Sequence, residues 1–120
     1  MGDMRLGVIE SKFADIIWEN EPITTSELVK ECEKALSWKR TTTYTVLKRL
    51  NERGIFQNIN GIVTSLISKE EFYSLQSEQF VEETFDGSLP AFFAAFTARK
   101  SLSKEEIKRI REMIDAYEEE

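Results

Sequence analysis

The residues best equipped for chemistry lie between Trp38 and Arg53, in the run W-K-R-T-T-T-Y-T-V-L-K-R-L-N-E-R. Thr43, Val46, Leu47 and Leu50 recur at the i, i+3, i+4 and i+7 spacing of one face of an α-helix. The positions left over are Lys39, Arg40, Thr41, Thr42, Tyr44, Thr45, Lys48 and Arg49. Their chemistry is recognition. Lysine and arginine neutralise phosphates, and arginine, threonine and tyrosine reach base edges in a major groove. A solvated helix face with ordinary lysines has the same composition, so the surrounding elements must decide between the two.

Composition narrows the field. A chain of 120 residues holds one or two small domains, and its 41% apolar content supports a folded core. There is no histidine and one cysteine, Cys32, so an internal disulfide is excluded and a zinc or copper site of the usual kind has no ligands. Neither a nucleophile elbow, a phosphate loop nor a metal-ligand spacing occurs, which argues against an enzyme and calls for no cofactor. Acidic pairs such as Glu70-Glu71 and Glu82-Glu83 read as helix-surface charges. No apolar run approaches a membrane span, and the N-terminus lacks the apolar core of a signal peptide. With the unpaired cysteine, this leads to an expectation of a cytoplasmic protein without membrane insertion.

The net charge of −6 is unevenly spread. Residues 1–67 hold nine Lys/Arg against nine Asp/Glu, whereas residues 68–120 hold seven against thirteen. Between Lys39 and Arg53 there are five cations and one acid. A polyanion responds to that local field, not to the total.

The flanking sequence supplies elements that could hold such a helix. Gly7 to Trp18 reads as a first helix with Ile9, Phe13, Ile16 and Ile17 on one face and Glu10 reaching back to the exposed amides. Thr24-Thr25-Ser26-Glu27 is a capping box opening a second helix to about Ala35, with Leu28, Cys32 and Leu36 inward. Cys32 there reads as a small buried hydrophobe, with a reactive thiol as the alternative. The third helix begins between Ser37 and Arg40, without a clear cap, and stops at Arg53-Gly54. Asn60-Gly61 between two β-branched runs signals a hairpin. Three helices and a hairpin in this order make a winged helix-turn-helix domain, with the third helix as reader and the hairpin as wing.

Beyond residue 67 the pattern is helical and aromatic. Ser68-Lys69-Glu70-Glu71 opens a helix through Phe72, Leu75, Phe80 and Phe85, and Asp86-Gly87-Ser88 breaks it. Pro90 suits the first turn of a short helix with Leu89, Phe92, Phe93 and Phe96. Ser103-Lys104-Glu105-Glu106 opens the last helix, where Ile107, Ile110, Ile114 and Tyr117 form a seam for packing on a partner. Six of the eight phenylalanines lie in these 53 residues, more aromatic surface than three helices can bury alone. Either the segment folds back on the first half or it meets a second copy, the reading favoured here. The expected organisation is mainly α with a small β-hairpin: a DNA-binding domain over 1–67 and a helical dimerisation region over 68–120.

Three stretches carry a resemblance. They are I-I-W-E-N-E-P-I-T from Ile16, W-K-R-T-T-T-Y-T-V-L-K-R-L-N-E-R-G from Trp38, and F-V-E-E-T-F-D-G-S-L from Phe80 followed by L-S-K-E-E-I from Leu102. In this order and spacing the chain resembles the penicillinase-repressor (BlaI/MecI/CopY) family of winged-helix transcriptional regulators over nearly its whole length. The resemblance implies a homodimeric repressor whose N-terminal halves bind an inverted-repeat operator and whose C-terminal helices dimerise. It also implies, for antibiotic-sensing members, a membrane sensor protease system that leads to cleavage within the dimerisation region. Thr42, Thr45 and Arg49 match reading-helix positions, and Trp38 matches the aromatic that anchors its start. Arg40 and Thr41 stand where the family has a proline and a basic residue, which shifts the cation by one place. The wing, Ile55 to Ile67, has no Lys or Arg, unlike family wings. The family's scissile bond falls at Ala95-Phe96, with alanine in place of the asparagine of cleaved members. The cysteine-rich tail of copper-responsive members is absent. The competing function is a protein-interaction module that uses the aromatic helices, with weak or no DNA binding.

Overall fold

The computed structural model describes residues 5–118; the N-terminal residues read above for a leader segment lie partly outside that range. Local sequence signals set most element ends. Helix α1 (Val8–Asn20) starts after Gly7, whose N–H donates to Glu10 Oε1 at 3.2 Å. Helix α2 (Thr25–Leu36) is capped by Thr24, whose hydroxyl accepts from the Glu27 N–H at 3.1 Å. Ser37 ends it in the left-handed region, at φ 57°. Helix α3 (Arg40–Glu52) closes in a Schellman motif: Gly54 at φ +78° donates to Asn51 O, and Ile55 donates to Leu50 O.

The hairpin forms where Asn60-Gly61 directs it. Strands β2 (Phe56–Ile59) and β3 (Ile62–Ser65) pair antiparallel with Ile59 opposite Ile62. Asn60 at φ 53° and Gly61 at φ +81° supply the left-handed pair of a tight two-residue turn. A short strand β1 (Ile23–Thr24), not expected from sequence, pairs with β3 to give the order β1-β3-β2. Its two residues are too few to show an alternation. They pair because Ile23 is drawn into the core and the adjoining Thr25 N–H donates to Gly61 O. The result is a winged helix with a three-stranded sheet.

Phe13, Ile17, Leu28, Leu50, Ile55, Phe56 and Val63 make the centre of the core, each fully buried. Ile9, expected on the inner face of α1, is instead about half exposed at 49%, because the first turn of that helix overhangs the core, as 75% exposure of Val8 also indicates.

Helix α4 (Lys69–Phe85) is capped by Ser68, which accepts from the Glu71 N–H. Packing divides the chain inside this helix: one compact unit ends at Gln79 and the second begins at Phe80. The first unit thus runs past the expected 67/68 junction. Phe72 is the physical reason. Its ring is 0% exposed and lies 5.6 Å from that of Trp18, which also tilts against Phe56 and Tyr73. Trp18 Nε1 donates to Ile67 O at 3.1 Å, and Lys69 Nζ lies 3.0 Å from Asp15 Oδ1. Phe72, expected among the dimerisation residues, is spent inside this core, and Leu75 is partly buried against it.

The second unit is built differently. Helix α5 (Leu89–Thr97) is capped by Ser88 with proline in its first turn, and α6 (Lys104–Glu118) opens with Ser103 and Glu106 capping each other's N–H groups at 3.1 and 3.0 Å. Phe80, Phe85 and Phe92 meet edge-to-face with centroids 5.6 to 6.0 Å apart, and Phe96 packs on Phe92. Yet no residue of α5 or α6 is buried. Among the described residues no helix is long and apolar enough to cross a membrane.

Both tryptophans belong to the first unit, so their fluorescence reports its unfolding. Phe72→Ala should destabilise that transition by about 3–5 kcal/mol in urea, the cost of emptying a filled aromatic site. Phe93→Ala, at an exposed position of α5, should move it by less than about 0.5 kcal/mol.

Candidate nucleic-acid interface

Helix α3, the candidate reading helix, is held by its inner face. Thr43, Val46, Leu47 and Leu50 of α3 are all buried, at 1, 7, 3 and 0% exposure. Trp38, just before it, stacks on Phe13 with ring centroids 5.4 Å apart and fixes how the chain enters the helix. With those side chains inside, the helical period forces the rest outward. Lys39, Arg40, Thr41, Thr42, Thr45, Lys48 and Arg49 are exposed, and Tyr44 is half-buried at the margin. All eight residues singled out from sequence thus share one accessible surface.

Within that surface the side chains are partly ordered by one another. The Arg40 guanidinium lies over the Tyr44 ring, 5.5 Å from its centroid, a cation–π contact that extends both along the same side. The Thr45 hydroxyl donates to Thr41 O at 2.8 Å. Its proton is therefore committed, which leaves an oxygen acceptor and a methyl group, suited to an amino group or a thymine methyl on a base edge. The start of α3 carries no acidic residue, and Lys39 at its cap position supplies no side-chain acceptor. The first-turn amides consequently stay open beside Lys39 and Arg40, an arrangement that favours phosphate oxygen.

One feature was invisible in the sequence. Arg49 Nη1 approaches Glu10 Oε2 at 3.4 Å, and Arg53 Nη1 approaches the same oxygen at 4.0 Å. Glu10 and Arg49 are 39 residues apart, so no local spacing signals the pair. The wing adds no charge. Ile59 and Ile62 are exposed on it, and the Asn58 carboxamide turns back to accept from the Gly61 N–H.

The geometry is that of a winged helix with a cationic, hydroxyl-rich third helix. The penicillinase repressor family model matches residues 6–116. The chain belongs to that family. Penicillinase repressor relatives include the protein of Bacillus licheniformis, 25% identical over 112 residues that cover 90% of this chain and 88% of the relative. A second relative is the methicillin resistance regulatory protein MecI of Staphylococcus aureus, 23% identical over 110 residues, covering 88% and 89%. The penicillinase repressor of Staphylococcus aureus is 19% identical over 116 residues, covering 93% and 92%.

Cys32 packs behind α3, beside Thr43. It is fully buried on α2. Burial pushes its thiol above the ordinary value; the neighbouring Thr43 hydroxyl of α3 counteracts this in part, and the Glu31 carboxylate adds to it. The nucleophilic thiolate is thus disfavoured and covered. Iodoacetamide should leave Cys32 unmodified in the folded protein at neutral pH and label it fully in urea, as read by intact mass. Rapid labelling of the folded chain would contradict the buried-hydrophobe reading.

Proposed function

We propose that this protein is a sequence-specific, DNA-binding transcriptional repressor that acts as a homodimer on an inverted-repeat operator. The observation that carries the reading is the single accessible surface on α3 that gathers Lys39, Arg40, Thr41, Thr42, Thr45, Lys48 and Arg49 while the opposite face is locked in the core. Repressor names among the relatives support it. In this reading Lys39, Lys48 and Arg49 neutralise phosphates, Arg40 reaches guanine or phosphate, and Thr41, Thr42, Tyr44 and Thr45 contact base edges or set the register. No basic wing assists, so the helix supplies most of the phosphate contacts.

The dimer is supported by unfilled apolar surface in the second unit. A groove of about 980 Å³ between α5 and α6 is lined mainly by apolar side chains, among them Leu89, Phe92, Phe93, Ile110, Ile114 and Tyr117, with Glu118 also on its wall. Phe80, Leu89, Phe93, Phe96, Ile114 and Tyr117 are exposed, and Phe85, Phe92, Ile107 and Ile110 are half-buried. A second copy of the unit is self-complementary by two-fold symmetry and would set two reading helices about one turn of DNA apart. The same surface keeps the protein-interaction alternative in play, with a different chain seated there.

Relief of repression by a membrane sensor protease system is a further part of the family pattern. For this chain the candidate bond, Ala95-Phe96, lies in α5, where the following turn is closed by Ala98 N–H to Ala94 O and Lys100 N–H to Phe96 O. Cleavage there would require α5 to open first, because proteases act on the transiently unfolded chain.

The reading is tested with a duplex selected by the protein from a random-sequence pool. Arg40→Ala and Thr42→Ala should each weaken binding by about 1–3 kcal/mol, and affinity should fall steeply between about 50 and 200 mM salt. Unchanged affinity in both variants would remove α3 from the role of reader. In sedimentation the wild type should run at twice the chain mass, and Phe93→Glu with Ile114→Glu should give a folded monomer. A monomeric wild type that binds the duplex would dismiss the dimer, and a stable heteromer without DNA affinity would favour the interaction module.

A further inference from the structure

The acid at the edge of the reading surface has no place in a purely cationic account of DNA binding. Glu10 is held on three sides: Oε1 accepts from the Gly7 N–H at 3.2 Å, and Oε2 lies 3.4 Å from Arg49 Nη1 and 4.0 Å from Arg53 Nη1. Its side chain is 24% exposed and that of Arg53 is 19% exposed, whereas that of Arg49 is 54% exposed. Arg53 also donates to the Arg5 carbonyl. The carboxylate is therefore a fixed inner anchor. Arg49 is its outer partner, with guanidinium N–H groups still turned to solvent.

We propose that Glu10 is a positioning residue for DNA reading: it holds Arg49 in one geometry, so that this arginine serves a phosphate in register and not any phosphate within reach. The inference rests on the DNA-binding reading above. The physical case has two parts. A guanidinium presents several N–H donors in a rigid fork, so it can keep a carboxylate on one side and take a phosphate on the other. An arginine already held in place loses less freedom on docking at the matching position. A phosphate displaced from that position approaches the Glu10 carboxylate, and like charges repel. Glu10 thus lowers general attraction to DNA and raises discrimination between sites.

Glu10→Gln separates this role from helix capping, since an amide oxygen can still accept from the Gly7 N–H while the charge is removed. The probes are the duplex selected from a random pool and a scrambled duplex of equal length, each titrated at low and moderate salt with the full-length protein. The variant should bind the scrambled duplex roughly two- to fivefold more tightly, the range expected for freeing one exposed ion pair. Its salt dependence on that duplex should steepen by about one charge per protomer. The selected-to-scrambled affinity ratio should fall by a similar factor, with the unfolding midpoint little changed. In an Arg49→Ala background the same substitution should change the ratio much less, because only the direct repulsion by the carboxylate is then lost. Arg49→Lys keeps the charge but lacks the fork, and should lower the ratio on its own. This second variant carries the test if Glu10→Gln does not fold. An unchanged ratio, or a fall in the ratio just as large without Arg49, overturns the proposal. A wild type that does not distinguish the duplexes would instead overturn the DNA-binding reading itself.

Discussion

Everything proposed for this protein depends on how α3 is gripped. Four side chains of that helix, Thr43, Val46, Leu47 and Leu50, are inserted in the core, and Trp38 locks its start against Phe13. Burial of those apolar groups sets the rotation of the helix about its axis. Rotation in turn decides which side chains water, or a polyanion, can reach. A quarter turn would carry outward-facing side chains of α3 into the core and swing part of its apolar face into water. The cations are therefore presented by the hydrophobic effect acting on their neighbours, not by any attraction among themselves.

The two units manage apolar surface in opposite ways. The first closes a core around Phe13, Phe56 and Phe72, with Trp18 as its rim and a hydrogen bond from the indole to Ile67. The second concentrates aromatic side chains on short helices that are too few to cover one another. Its Phe80–Phe85–Phe92 cluster satisfies part of that surface through edge-to-face contacts. The remainder lies open along the groove between α5 and α6. Large contiguous apolar surface of this kind marks an interaction site in soluble proteins. The first unit encloses its own core, whereas the second leaves apolar side chains of α5 and α6 uncovered.

Much of this was legible along the chain. Asn60-Gly61 sets a tight turn because both positions must take positive φ, and it does so wherever the strands are placed. Ser103 with Glu106, Thr24 with Glu27, and Gly54 after α3 mark helix ends through hydrogen bonds that span only a few residues. The surface residues of α3 were legible as well, since a helical period together with one apolar face leaves little choice for the other. Three things were not. Strand β1 is two residues long and exists only because β3 lies beside it. Phe72 was read in one apolar series with Phe80, yet it turns into the first unit's core because Trp18, more than fifty residues earlier, provides the cavity wall. Glu10 looked like a helix-capping acid, which it is, but the arginines it also holds come from a helix distant in sequence.

The division between the two sources of information is thus one of range. Sequence alone determined the family resemblance, the order of the helices and the hairpin, most caps and turns, and the outward chemistry of α3, because most of these rest on interactions within a few residues or on a helical period. Tertiary structure decided which aromatics close the first core, which remain uncovered, and which acid stands beside Arg49. Those outcomes depend on where separate elements meet in space, and no spacing along the chain encodes the distance between Glu10 and Arg49.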